Sequence, residues 1–206
     1  MFYEITTRLF YALFRVLYHH QTIWEFDPKT LKNTPCIIAP NHLSFLDPPL
    51  VSAFWPYSLD FFAAHYLFEK QPLKYFLPKL HTHPITLGKE LVTIRTALSL
   101  LQQRRSIVIF PEGSRSFSGR LQPLREGVAL IALRAQCPII PCYIHGTYQA
   151  WPRGTKKMKI FKKQTKCWFR KPLWPHHYAT KEELTHALQS SLAEREHQLL
   201  TERETE

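Results

Sequence analysis

The sequence predicts a single α/β domain, a mostly parallel central sheet flanked by helices. Three observations carry that expectation. Short apolar runs of strand length alternate along the chain with stretches of helical period, the pattern of strand–helix–strand units. The 206 residues, 45% of them hydrophobic, suit one domain with a sizeable core. Two polar motifs each follow an apolar run directly, and a parallel sheet places its ligands at the carboxyl ends of its strands.

The elements follow in order along a single domain over 1–206. Residues 1–20 hold an amphipathic helix. Over 2–18, Glu4, Thr7, Arg8, Tyr11, Arg15 and Tyr18 share one face. Phe2, Ile5, Leu9, Leu13 and Val16 make a broad apolar face with Phe10, Phe14 and Leu17. Such a helix packs on a core or lies in a lipid interface. The motif-bearing core spans 35–147. Cys36–Ala39 reads as a buried strand stopped by Pro40, and a helix starts at Asp47-Pro48-Pro49 with Asp47 as N-cap. Short strands are expected at Leu59–Phe62 and Pro84–Leu87. A helix over 89–103 aligns Leu91, Ile94, Leu98 and Leu101, with Arg104-Arg105 at its end. Ser106–Phe110 is a strand, 124–135 an apolar helix and Pro138–Ile144 another strand. Residues 151–175 form a basic, aromatic segment. In its 151–171 stretch nine Lys/Arg stand without an acid, interleaved with Trp151, Phe161, Trp168 and Phe169. A C-terminal helix over 180–206 opens with a capping box, Thr180 and Glu183, and carries the stripe Leu184, Leu188 and Leu192.

The net charge of +11 implies an anionic partner: a membrane surface, a nucleic acid or an acidic substrate. Four cysteines without CxxC spacing fit a reduced, cytosolic setting. No run of 18 uncharged apolar residues occurs, so no ordinary membrane-spanning helix is expected. The N-terminus lacks the basic start and small-residue cleavage site of a signal peptide. His81-x-His83 and His176-His177 have no cysteine or acid to complete a recognised ligand set, so no metal is expected.

The chemistry concentrates in two strings. In Asn41-His42-Leu43-Ser44-Phe45-Leu46-Asp47, a histidine and a carboxylate stand five residues apart after a strand. A histidine takes a proton from an alcohol near neutral pH when a carboxylate holds its tautomer. The alternative is that Asp47 only caps a helix and His42 is a loop residue. In Phe110-Pro111-Glu112-Gly113-Ser114-Arg115-Ser116, a glycine turn presents an arginine. Gly113 permits a positive φ, and a guanidinium grips a phosphate through its fork. The alternative there is a tight turn with a surface salt bridge.

Together the strings resemble the 1-acyl-glycerol-3-phosphate acyltransferase family, within the wider glycerolipid acyltransferases. Asn41, His42 and Asp47 match its NHxxxxD motif, and Phe110–Ser116 its FPEG-[ST]-RS motif. Pro138-Ile139-Ile140-Pro141 matches its late apolar strand, and Leu124–Gly127 is also similar. The resemblance covers roughly 35–147. One departure is the arginine usual before the helix at 89–103. Here the stretch reads Pro84-Ile85-Thr86-Leu87-Gly88-Lys89, and Lys89 is the nearest cation.

The resemblance implies a glycerol-3-phosphate acyltransferase-like fold. It implies transfer of a fatty acyl group from a thioester to the free hydroxyl of 1-acyl-sn-glycerol-3-phosphate, giving phosphatidic acid. His42 would be the base and Asp47 its support. Asn41, Glu112, Gly113, Ser114, Arg115 and Lys89 would bind substrate. No cofactor is implied beyond the co-substrate, an acyl-CoA or acyl-carrier-protein thioester. No serine nucleophile is required, so Ser44, Ser114 and Ser116 need not react. The basic segment is then expected on anionic lipid, with no nucleic acid, at the cytoplasmic face of a membrane, peripheral or monotopic. The alternatives are acylation of glycerol-3-phosphate or another lysophospholipid, and a non-catalytic lipid- or nucleic-acid-binding protein. A serine hydrolase would need a GxSxG elbow, which is absent.

Overall fold

A computed structural model describes residues 1–86, 88–155, 157–159 and 164–204. Its centre is a seven-stranded sheet in the order β1-β7-β6-β2-β5-β3-β4. The strands are β1 (Gln21–Trp24), β2 (Ile37–Pro40), β3 (Leu59–Ala64), β4 (Thr82–Ile85), β5 (Ser106–Val108), β6 (Ile139–His145) and β7 (Lys166–Phe169). The run β6-β2-β5-β3-β4 is parallel. β7 pairs antiparallel to β6, and β1 parallel to β7. The helices are α1 (Phe2–Leu17), α2 (Asp47–Phe54), α3 (Leu73–Lys79), α4 (Glu90–Gln102), α5 (Gly127–Ala135), α6 (Thr147–Ala150) and α7 (Lys181–Glu204).

The pleat of β2 divides the core. Ile38 faces a cluster with Phe14 of α1, Leu50, Val51 and Phe54 of α2, and Val108, Ile140 and Phe169. Ile37 and Ala39 face the other side, with Leu100 and Leu101 of α4, Val128 and Ala132 of α5, and Leu184, Leu188 and Leu192 of α7. Alternate residues of one strand thus feed two cores. The sheet is covered on both faces, as a parallel sheet must be.

The expected elements are found with shifted ends, and some expectations need correction. α1 has two apolar sides instead of one broad face. Tyr3 and Phe14 are buried, with Phe10 and Leu17 partly buried against the same core, while Ile5, Leu9, Leu13 and Val16 are exposed. The core took the aromatic side, because rings fill the gap above α2: Phe14 and Tyr11 both lie against Phe54. Tyr18, expected on the polar face, is buried beside Phe14. Arg105 does not close α4; its guanidinium grips Asp60 of β3 at 2.5 and 2.8 Å, and His83 shares that carboxylate at 2.7 Å. In the capping box, Thr180 Oγ1 accepts the Glu183 N–H at 3.2 Å. Glu183 reaches back to the Ala179 N–H, one residue earlier than the motif expects.

The basic segment separates into core and surface. Trp168 and Phe169 lie in β7 and are buried, so they are core residues and no platform for bases or head groups. Arg170 is paired with Glu25 and Glu194. Lys157, Lys159 and Lys171 are exposed. The strand expected at Pro84–Leu87 is Thr82–Ile85, and Leu87 lies outside the described residues. So do Lys156, Phe161, Lys162 and Lys163 of the basic run.

Candidate active site

The site sits where β2 ends between its two neighbours. The chain leaves β2 at Pro40 and turns through His42. On one side β5 runs out toward Glu112; on the other β6 runs out toward Thr147. Because the three strands are parallel, their carboxyl ends share one edge of the sheet.

Asp47 organises the turn. It is wholly buried and stands first in α2, with Leu46 in the cap position, so the N-cap expectation is corrected. The carboxylate serves the preceding loop instead of the helix. Oδ2 accepts the backbone N–H of Leu43 at 2.6 Å, that of Ser44 at 2.7 Å, and Nδ1 of His42 at 2.9 Å. Oδ1 accepts the Thr147 hydroxyl at 2.6 Å. Pro48 follows with no N–H to leave unpaired in the first turn. A buried carboxylate stands only when its oxygens are filled by donors, and four donors fill these.

A carboxylate on Nδ1 fixes the neutral ring as the Nδ1–H tautomer, with its lone pair on Nε2. Nε2 has no hydrogen-bond partner among the described residues. The ring is stacked on Phe110, centroids 4.0 Å apart, and its side chain is 17% exposed. His42 is therefore held on three sides and open at the nitrogen that can take a proton.

The second motif braces the first. Glu112 Oε1 accepts the His42 N–H at 2.6 Å, and the Ser116 N–H donates to the His42 carbonyl at 2.7 Å. Oε2 of Glu112 accepts the Gln122 backbone and side-chain N–H groups at 3.2 and 2.7 Å. Burial pushes the Glu112 carboxyl up to about 7, against the opposite pull of these donors. Glu112 is thus a strut between loops. Asn41 is another: its Nδ2 donates to the Ile144 carbonyl and its Oδ1 accepts the Ile144 N–H. Both side chains are bonded to protein groups, so each braces the site.

Gly113 has φ +74, and a Cβ there would come 2.7 Å from Nε of Arg125. The glycine is required by the turn and by the guanidinium folded over it. Ser114 accepts Gln122 Nε2 through its carbonyl at 3.1 Å. The Ser44 hydroxyl donates to the Trp151 carbonyl at 2.9 Å, and Ser116 Oγ accepts the Gly119 N–H at 3.1 Å. These two serines are framework. Arg115 lies with its guanidinium carbon 3.5 Å from the Phe45 ring centre, over the His42–Asp47 loop. Partial burial, and Arg153 beside it, lower its pKa. Lys89 is exposed in the cap position of α4 and makes no hydrogen bond or ion pair to His42, Asp47 or Arg115 among the described residues.

Thr147 and Gln122 are site residues that the sequence reading passed over, and Trp151 and Arg153, read there only as part of the basic segment, also reach the site. The hydroxyl of Thr147 follows a six-residue buried stretch of β6 and the left-handed Gly146. A hydroxyl at the carboxyl end of a parallel strand was the signal available. A separate cavity of about 540 Å³ is lined by Tyr3, Arg8, Trp55 and His81, at the amino edge of the sheet.

The Acyltransferase family profile matches residues 22–145, more than half of the chain. The chain belongs to the Acyltransferase family. Within it, a 1-acyl-sn-glycerol-3-phosphate acyltransferase of Limnanthes alba is 39% identical over 71 residues, 34% of this chain and 24% of that relative. Chloroplastic BAT2 of Brassica napus, also a 1-acyl-sn-glycerol-3-phosphate acyltransferase, is 27% identical over 134 residues, 60% of this chain and 37% of the relative. The Bacillus subtilis (strain 168) enzyme of that name is 29% identical over 112 residues, 53% of this chain and 55% of the relative. The matches thus span about a quarter to about half of these curated relatives. The fold is that of PlsC, the 1-acyl-sn-glycerophosphate acyltransferase of Thermotoga maritima: TM-score 0.78, 22% identity, 96% of this chain and 78% of that one. The strands β2 to β6 and both motifs lie within the matched residues.

Proposed function

We propose that this acyltransferase moves a fatty acyl group from an acyl thioester to the free hydroxyl of 1-acyl-sn-glycerol-3-phosphate, giving phosphatidic acid. One observation carries the chemistry: His42 Nδ1 is tied to the buried Asp47 carboxylate at 2.9 Å, and Nε2 has no hydrogen-bond partner among the described residues. Nε2 takes the proton of the acceptor hydroxyl as its oxygen attacks the thioester carbonyl. The carbon–sulfur bond then breaks, and the leaving thiolate takes the proton from the imidazolium. Asp47 keeps the tautomer and stabilises the cation between the two steps. No covalent acyl-enzyme is needed, in keeping with the framework roles of Ser44 and Ser116. The names of the curated relatives support 1-acyl-sn-glycerol-3-phosphate as acceptor. The thioester carrier is coenzyme A or acyl carrier protein.

The protein works at the cytoplasmic surface of an anionic membrane. No helix among the described residues is long and apolar enough to cross one. Ile5, Leu9, Leu13 and Val16 form an exposed apolar stripe on α1, 39% to 65% accessible. That helix ends near the active-site edge: Tyr18 Oη donates to the Lys159 carbonyl, and the Lys159 N–H to that of Ala150. Lys157 and Lys159 add cations there, each worth roughly 1 kcal/mol near anionic lipid. Purified protein with labelled acyl thioester and a panel of lysophospholipids and glycerol-3-phosphate tests the reading. Labelled phosphatidic acid is expected; transfer to another acceptor only, or none, would overturn it.

A further inference from the structure

We infer that Arg153 joins Arg115 to form a two-guanidinium site for a phosphate monoester dianion, and so sets the acceptor class. The inference rests on the function proposed above and names the group that the acceptor must carry.

Arg153 lies in the loop after α6, far in sequence from both motifs. The fold brings it to them. Its Nη1 donates to the Arg115 carbonyl at 2.6 Å. Its guanidinium carbon stands 3.7 Å from the centre of the Phe117 ring, as that of Arg115 stands 3.5 Å from Phe45. The two arginines are thus built alike, each with its guanidinium carbon close over an aromatic ring. The loop is tied down on the His42 side as well, because the Trp151 carbonyl accepts the Ser44 hydroxyl at 2.9 Å. Phe45 and Trp151 complete the wall, ring centres 5.6 Å apart.

Arg153 is thus anchored on the Arg115 backbone, and two guanidinium charges brought to one loop pair favour an anion. Among the described residues neither Arg115 nor Arg153 forms an ion pair with an acid, and Asp47 acts on Arg115 only through space. The two carboxylates nearest the motifs are already filled, Asp47 by four donors and Glu112 by three. Burial first, then Arg153, lowers the Arg115 pKa, while Tyr66 and Asp47 pull it the other way.

The charge chooses the ligand. A phosphate monoester carries about −1.5 to −2 at pH 7, with a second pKa near 6, and matches two guanidinia. A phosphodiester head group carries one negative charge and leaves one arginine unmatched. The pair therefore favours a lysophospholipid with a bare terminal phosphate over one with an esterified head group. Arg153 suits this better than Lys89, which has neither the fork nor a bond to Arg115.

The test is steady-state kinetics of the whole protein with 1-acyl-sn-glycerol-3-phosphate and acyl-CoA, for the parent, Arg153→Gln and Arg153→Lys. Arg153 is half-exposed on a loop, and thermal melts check that the variants fold. Arg153→Gln should raise KM for the phosphate acceptor ~10–100-fold, the loss of a charged hydrogen-bond partner. The KM for acyl-CoA and kcat should stay within about twofold, and Arg153→Lys should recover part of the loss through its charge. An unchanged acceptor KM would overturn the inference. So would equal changes in donor KM or kcat, which mark a loop prop, or an Arg153→Lys no better than Arg153→Gln. A parent that transfers nothing to 1-acyl-sn-glycerol-3-phosphate would instead refute the proposed function, before any variant is compared.

Discussion

Replacing Asp47 by Asn separates charge from geometry. In the parent, Oδ2 meets three N–H donors and Oδ1 a hydroxyl, within 2.6 to 2.9 Å. An asparagine places its oxygen where Oδ2 stands, because an amide NH₂ there would face three donors. Its Nδ2 then meets Thr147 Oγ1, and a hydroxyl rotates to accept. The four contacts survive and the His42 tautomer is kept. What is lost is the negative charge beside the imidazolium. With the His42 and Asp47 charges about 4 Å apart and an effective dielectric near 20, that attraction is about 4 kcal/mol. This is about a thousandfold in rate, at 1.36 kcal/mol per tenfold. The neutral acceptor also costs ~1–2 kcal/mol of stability, or some 2–8 °C in Tm for a chain of this size. Acyl-transfer kinetics and calorimetry on Asp47→Asn read both quantities. We expect kcat to fall ~10³-fold with acceptor KM nearly unchanged. A folded variant within tenfold of parental kcat would refute the idea that Asp47 stabilises an imidazolium.

Two further outcomes follow from other parts of the fold. Changing Ile5, Leu9, Leu13 and Val16 to Gln should leave the melt nearly unchanged, since these side chains already face water. It should weaken vesicle binding by at least ~100-fold in high salt, where attraction to the basic residues is screened and apolar insertion remains; unchanged co-sedimentation would put that face elsewhere. His20 is 1% exposed between the Thr165 and Thr22 hydroxyls, and burial first, then Arg15, lowers its pKa to about 3. Its folded value lies below the unfolded one near 6.5, so its contribution is present above pH 6.5 and lost as pH falls toward 3. Between pH 7.5 and pH 5, urea denaturation should show the parent losing ~2 kcal/mol more than His20→Gln; parallel losses would mean that His20 is not held neutral.

The parallel strands were legible because they are buried on both faces and read as apolar runs: Cys36–Ala39, Ser106–Phe110 and Pro138–Ile144 need no alternation to be seen. β1 was not, since Gln21–Trp24 is a short edge strand that exists by pairing with β7, which lies about 145 residues away. The helical period of α1 was plain, but a wheel cannot say which apolar stripe a core will take. That depended on where α2 put Phe54. His42 and Asp47 were found as a pair, because one turn of six residues holds both. Their fixing was hidden, since Thr147 and Glu112 arrive from other strands. Nor does the motif show that Asn41 and Glu112 brace neighbouring loops, since their partners Ile144 and Gln122 lie elsewhere in the chain. Arg153 looked like one more cation in a basic run until the chain folded it against Arg115.

The most direct test of the account is single-turnover acyl transfer to 1-acyl-sn-glycerol-3-phosphate by the parent and by His42→Ala. The His42 side chain is partly exposed and its backbone bonds to Glu112 and Ser116 do not need the ring, so the variant should fold and melt close to the parent. With the base removed, formation of phosphatidic acid should fall ~10²–10⁴-fold or more. A folded His42→Ala protein that transfers acyl groups within tenfold of the parental rate would contradict the central claim.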